Sequence, residues 1–227
     1  MPASAPTAIR EVVLTRPEGS NADLRAAIEA ARPAHLDGPS PSLTDLPLLA
    51  VGPLPGGGEL PEALAAMRPV DLVVFVSPRA VAAATEVCPL PEWPTAQVAA
   101  VGAATGRALT EAGCREALLP AGSEDSEGLL ERLDGLSMTD RRVWIIRGET
   151  GRELLAETLA ARGARPQFVA VYRRECAPAT GPVPAGRDHL WIVTAPQALD
   201  CLAALAPTAD DESSGLLDST LLVINDR

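Results

Sequence analysis

Five short stretches place arginine, hydroxyl or glycine residues where an apolar run stops. They are Thr15-Arg16, Ser77-Pro78, Gly102-Ala103-Ala104-Thr105, Arg147-Gly148-Glu149-Thr150 and Thr194-Ala195-Pro196. A stretch rich in Ala and Leu follows each one. In a parallel α/β sheet such turns stand at the carboxyl edge, where ligands bind. The free N–H groups and positive ends of the following helices attract anions there. Hydroxyls and arginine forks add hydrogen bonds suited to carboxylates or phosphates. Any one of these turns, taken alone, reads first as a plain helix cap. Five of them, spread over two lobes, point to a cleft for a multiply charged ligand.

Tyr172 is the only tyrosine of the chain and lies in "VAVYRRE", just before two arginines. Two readings stand side by side. It packs across strands, or it faces a cleft and donates a proton, since phenols are protonated at neutral pH.

Other chemistries are thinly represented. All 19 basic residues are arginine, so Schiff-base chemistry and the P-loop lysine are excluded. "VGAATG" and "RGETG" match neither GxGxxG nor GxxxxGK[ST], and there is no GxSxG elbow. His189 borders a strand with no triad order around it. His35 and the run Asp210-Asp211-Glu212 read as solvated loop. Cysteines 88, 114, 176 and 201 form no CxxC pair; they read as four buried thiols of a reducing cytosol, with no metal site. A net charge of −11 argues against nucleic acid held on a broad basic face. The stretch MPASAPTAIRE does not read as a signal peptide, and no apolar run reaches membrane-spanning length. The expected setting is cytoplasmic, with no membrane partner.

Elements that alternate along the chain must position these turns. Strands are predicted at 9–15, 72–76, 98–101, 117–119, 143–147, 168–173, 190–194 and 221–224. Helices are predicted at about 21–31, 59–67, 79–87, 103–112, 126–134, 151–162 and 196–205. The strands are apolar throughout, which implies parallel sheets covered on both faces. Two stretches break the rhythm. Residues 33–61 are rich in Pro and Gly, with "LPLLAVGPLP" as a lone strand, and "PQFVAVYRREC" stands alone near the other end. Two extended connectors around a compact block suggest an inserted lobe, residues 36–174, within an outer lobe of residues 1–35 and 175–227. "LVVFVSPRAVAAA" and "LWIVTAPQALDCL" echo one another as strand, turn and helix. The first runs on into a further strand and helix, whereas the second stops at "LLVINDR", so the outer lobe reads as short by at least a helix.

Taken in order, "VLTRPEGSNADLRAAIEA", "DLVVFVSPRAV", "VAAVGAATGRALTEAG", "SEGLLERL", "VWIIRGETGRELLAETLAARGA", "VAVYRR" and "WIVTAPQAL" resemble the uroporphyrinogen-III synthase family. The resemblance implies two flavodoxin-like parallel-sheet α/β lobes joined by a two-stranded β-ladder, one lobe inserted in the other. It implies a monomeric, cofactor-free lyase acting on hydroxymethylbilane, a linear tetrapyrrole with eight carboxylates. By motif match the implied substrate-binding residues are Arg16, Ser77, Gly102, Ala103, Thr105, Arg147, Thr194 and Ala195. Tyr172 matches the family's "VYRR" tyrosine, the best candidate for assisting departure of the terminal hydroxyl. The chain departs from the pattern at Val76, where the family has threonine, and at Ala195, where it has serine. It also ends at Arg227, where the family runs on. The competing readings are a non-catalytic anion-binding or regulatory module of the same fold, and a flavodoxin-like domain holding a mononucleotide.

Overall fold

The structure is a computed structural model, and it describes residues 8–31, 40–94, 97–120, 122–123, 125–151, 153–178, 183–205 and 218–224. His35 and Asp210-Asp211-Glu212 lie outside the described residues. Packing divides the chain into two units, residues 1–51 with 175–227, and residues 52–174.

The outer unit holds a four-stranded sheet ordered β10-β9-β1-β2, with β1 Glu11–Leu14, β2 Ser42–Asp45, β9 His189–Val193 and β10 Thr220–Val223. Every pairing in it is parallel. The register sets Val13 beside Trp191 and Leu14 beside Ile192. Alternate residues therefore supply two separate cores. Val13, Trp191 and Val193 pack with Ala198 and Leu202 of helix α7, Pro196–Leu205. Val12, Leu14 and Ile192 face the other way, toward Leu24 and Ile28 of helix α1, Ala22–Ala30. Burial on both sides explains why these strands read as unbroken apolar runs.

The second unit contributes most of a six-stranded sheet ordered β3-β8-β7-β4-β5-β6. Its strands are β3 Leu49–Pro53, β4 Leu72–Phe75, β5 Gln97–Ala100, β6 Ala117–Leu118, β7 Arg142–Gly148 and β8 Arg165–Cys176. From β8 to β6 every neighbour is parallel. One face carries Leu72, Val74, Val143 and Ile145 against α5, Ser126–Leu133, and α6, Leu154–Ala161. The remaining helices are α2 Leu60–Ala66, α3 Pro78–Val87 and α4 Ala103–Glu111. Gly113 (φ +90°) and Gly163 (φ +86°) follow α4 and α6 and supply the left-handed turn expected there.

The chain passes between the units twice, through β3 and β8. Leu54 N–H donates to Val171 O, and Ala177 N–H donates to Leu48 O. Residue numbers thus rise along one strand as they fall along the other, so the two connectors form an antiparallel ladder.

Three expectations change. The first boundary falls at 51/52 and not at 35/36, because Ser42–Asp45 pairs with β1 in the outer sheet. That strand, "SLTD", lies on the sheet edge and buries none of its residues fully, so no apolar run announces it. Helix α6 begins at Leu154, three residues after the predicted start. The cysteines are not four buried thiols. Cys176 and Cys201 are joined by a disulfide, their Cα atoms 5.3 Å apart, while Cys88 and Cys114 are free and only partly buried. A separation of 25 residues gives no local spacing signal for that pair.

Candidate functional site

Because the strands are parallel, all their carboxyl tips share an edge within each sheet. In the second unit β4 is flanked by β5 and β7, so the turns after these three strands are neighbours. Backbone bonds continue past the strand ends: Val76 N–H donates to Ile146 O and Val101 N–H to Phe75 O. Ser77, the Gly102 turn and Gly148 thereby come to one edge.

Ser77 caps α3, its Oγ accepting the Ala80 N–H at 3.1 Å, and Pro78 at the first helical position has no N–H to satisfy. The cap uses Oγ as acceptor and leaves its O–H to donate. Gly102 is extended (φ −158°, ψ 168°) and contributes no capping side chain. The first intrahelical bond of α4 runs from Gly106 N–H to Gly102 O. The Ala103, Ala104 and Thr105 amides therefore have no intrahelical partner and point out of the helix start. Three such amides make α4 a stronger anion cradle than α3, where proline and the serine cap leave only the Arg79 amide.

Tyr172 is buried, at 6% exposure, and lies opposite Gly148. A β-bulge between Arg147 and Gly148 creates this pairing: Arg147 faces Ala170, and the next residue of β7 faces Tyr172, skipping Val171. Glu149 N–H donates to Tyr172 O at 3.0 Å and holds the backbone there. Arg147 is less open than the sequence suggested, at 7% exposure. Its guanidinium lies 4.4 Å from the centre of the Phe168 ring, and its Nε donates to Gly148 O at 3.2 Å. The strand's pleat turns this side chain along β8, so its charge is held beneath the tip.

In the outer unit, Arg16, Thr194 and Ala195 occupy adjacent tips of β1 and β9, all partly buried. Thr15 is buried and donates from Oγ1 to Ile192 O at 2.7 Å, a bond that ties the two tips together. Arg16 follows that fixed point. His189 sits at the opposite edge, with Nε2 3.1 Å from Glu11 Oε2 and Nδ1 3.0 Å from Asp188 Oδ1, and takes no part in either tip.

The structure therefore sorts the sequence candidates into two sets. Ser77, Gly102, Ala103, Thr105, Arg147 and Tyr172 gather on the second unit, and Arg16, Thr194 and Ala195 gather on the outer one. Sequence reasoning missed Phe168 and Gly148. Gly148 was read only as one residue of the turn after β7 and of the inexact motif "RGETG", and its pairing with Tyr172 depends on the bulge.

Each α/β unit has a parallel sheet with N–H or hydroxyl donors at its carboxyl edge, a class of site suited to anionic ligands, and an antiparallel ladder carries the chain between the units. The comparisons narrow this class. The family model described as uroporphyrinogen-III synthase HemD matches residues 42–224. The uroporphyrinogen-III synthase of Salmonella typhimurium (strain LT2) is 35% identical over 182 residues, covering 75% of this chain and 74% of that protein. The Escherichia coli (strain K12) enzyme is 32% identical over 189 residues, covering 80% and 76%. Among solved structures, a mutant uroporphyrinogen III synthase from the extremely thermophilic bacterium Thermus thermophilus superposes with a TM-score of 0.54 at 20% identity, covering 95% of this chain and 84% of that one. The Helicobacter pylori 26695 enzyme gives 0.52 at 14% identity, with coverage of 95% and 84%. The chain belongs to the uroporphyrinogen-III synthase family, whose enzymes are lyases of tetrapyrrole biosynthesis.

Proposed function

We propose that this chain cyclises hydroxymethylbilane to uroporphyrinogen III. The carrying observation is that family membership, at 35% identity across 75% of the chain, coincides with donor-bearing tips on both sheets. The C–O bond of the terminal hydroxymethyl group breaks, and the hydroxyl leaves as water on taking a proton from the Tyr172 phenol. The azafulvene so formed is attacked by the substituted carbon of ring D, giving a spiro intermediate. That intermediate reopens and recloses with ring D inverted, and loss of the ring proton returns Tyr172 to its starting state. The net change is the loss of one water.

Little covalent work falls to the protein. It must bring two ends of a flexible octacarboxylate together in one orientation, and such positioning is worth roughly 7–11 kcal/mol. The α4 amides and the Ser77 O–H are suited to substrate carboxylates on the second unit. Arg16, Thr194 and Ala195 hold others on the outer unit, and Arg147 supplies positive potential near the end of β7. An acidic protein can do this because the field is local.

The reading includes a monomer at work in the cytoplasm; gel filtration and cell fractionation test those parts. The Cys176–Cys201 bond is the feature that weighs against a reducing setting. The central test is incubation with freshly made hydroxymethylbilane, oxidation, and separation of the isomer I and III porphyrins. Predominantly isomer III supports the reading. Isomer I alone, at the rate seen without protein, overturns it.

A further inference from the structure

Gly148 has no side chain to bring to a reaction, yet it sits closer to the Tyr172 ring than any other residue could. A β-carbon built at Gly148 would lie 2.7 Å from Cε2, 2.9 Å from Cζ and 3.2 Å from Cδ2 of Tyr172. The tightest approaches are to the far half of the ring, including the carbon that bears the hydroxyl. The bulge between Arg147 and Gly148 aims Tyr172 at this point, and the Glu149–Tyr172 backbone bond keeps it there. The need for glycine is not conformational, since Gly148 is absent from the positive-φ glycines. It is spatial.

We propose that Gly148 is a positioning residue for the reaction: its bare α-carbon is the floor on which the Tyr172 phenol rests, and it sets where the hydroxyl points. This inference rests on the synthase reading above. A methyl at 148 forces the ring outward by about 0.7 Å, from 2.7 Å to the 3.4 Å at which ordinary contact begins. Misplacing a reacting group by about 1 Å can cost on the order of 100-fold in rate.

Four proteins test this: wild type, Gly148→Ala, Tyr172→Phe and the double variant. The expected result is a roughly 10- to 100-fold fall in kcat for Gly148→Ala, with KM within about twofold of wild type. The double variant is then expected to match Tyr172→Phe alone within about twofold, because Gly148 acts only through the phenol that Tyr172→Phe removes. A merely structural glycine gives losses that multiply. Since Tyr172 is the sole tyrosine, 3-fluorotyrosine labelling gives a single 19F resonance that reports the ring directly. The inference expects that resonance to move in Gly148→Ala.

Wild-type kcat in Gly148→Ala overturns the inference, as do multiplying losses or an unmoved 19F signal. If the wild type makes isomer III but Tyr172→Phe is silent, the role of Tyr172 fails and the inference falls with it, while the synthase reading stands. Isomer I alone from the wild type instead overturns the synthase reading. Should Gly148→Ala fail to fold, Gly148→Ala/Tyr172→Leu decides, because leucine lacks Cε2 and Cζ, the two atoms that clash most. A restored melting transition supports the contact as described, and no restoration overturns it.

Discussion

Substituting Asp71 measures how much a buried carboxylate at the amino edge of the second sheet contributes to stability. Asp71 lies just before β4 with its side chain 2% exposed. Its Oδ2 accepts from Trp144 Nε1 at 2.9 Å and from Arg68 N–H at 3.0 Å, and it pairs with Arg142 Nη2 at 2.9 Å. Asp71→Ala strips the buried Trp144 N–H and the half-buried Arg68 N–H of their acceptor and leaves Arg142 without its anion. Breaking a buried ion pair costs about 3–5 kcal/mol. Arg142 is 20% exposed and keeps the Ala66 carbonyl, so the lower figure applies. We expect Asp71→Ala to destabilise the second unit by about 3 kcal/mol, roughly 10 °C in Tm.

Asp71→Asn keeps an acceptor oxygen and the shape, and should lose about 1.5 kcal/mol. The pH dependence has a definite sign. Burial opposes the charge of Asp71, but the hydrogen bonds from Trp144 and Arg68 and the Arg142 charge outweigh it, and the carboxyl is held below its ordinary value of 3.8. On acidification the unfolded chain therefore takes up the proton first. The advantage of wild type over Asp71→Asn is complete above about pH 4 and fades as pH falls through the folded value. Urea unfolding followed by tryptophan fluorescence, repeated from pH 7 down to 3, reads both quantities. A loss below about 1 kcal/mol for Asp71→Ala, or a difference that stays flat with pH, would refute the reasoning.

Tyr172→Phe should lower kcat by roughly 100-fold or more while KM changes little, as expected for a lost proton donor; steady-state formation of isomer III checks it. Arg16→Ala removes one carboxylate contact and should raise KM about 10-fold with kcat within about threefold, a split that initial rates over a range of substrate concentrations would show. Alkylation followed by mass spectrometry should label two thiols, Cys88 and Cys114, before reduction of the unfolded protein and four after it. Reduction should also destabilise the outer unit by up to about 3.5 kcal/mol, the chain-entropy value for its 25-residue loop. Four labelled thiols without reductant would remove the Cys176–Cys201 bond.

The elements that were legible in the sequence are those whose surroundings are uniform. β1, β4, β7 and β9 are covered on both faces, so composition alone marks them, and the turns after them carry capping residues with a local meaning. Ser77 is such a residue. β2 escaped because an edge strand needs little apolar surface, and its absence from the reading shifted the domain boundary. The site was readable as residue types but not as orientations. That Arg147 turns onto Phe168, and that Tyr172 rests on Gly148, follow from the pleat and the bulge of β7 against β8. Pairing between strands that meet only after folding leaves no local trace. Asn21 is tied to the unread edge strand: its side chain makes no cap bond to its own helix and donates from Nδ2 to Asp45 Oδ1 of β2.

The insertion also dictates an order of events during synthesis. β1 is an interior strand of its sheet, and its partner β9 lies about 178 residues downstream, the separation of Glu11 and His189. At about 5–20 residues per second the ribosome needs roughly 9–36 s to cover that distance. For most of that interval the nascent outer sheet has β1 and β2 but neither β9 nor α7, and the face bearing Val13 lacks Trp191, Ala198 and Leu202. The second unit is one continuous stretch, and all its strands are available once residue 174 has emerged. The inserted unit is thus complete in sequence before the unit it interrupts. The amino-terminal segment is meanwhile the stretch of nascent chain most exposed to chaperones and to mispairing.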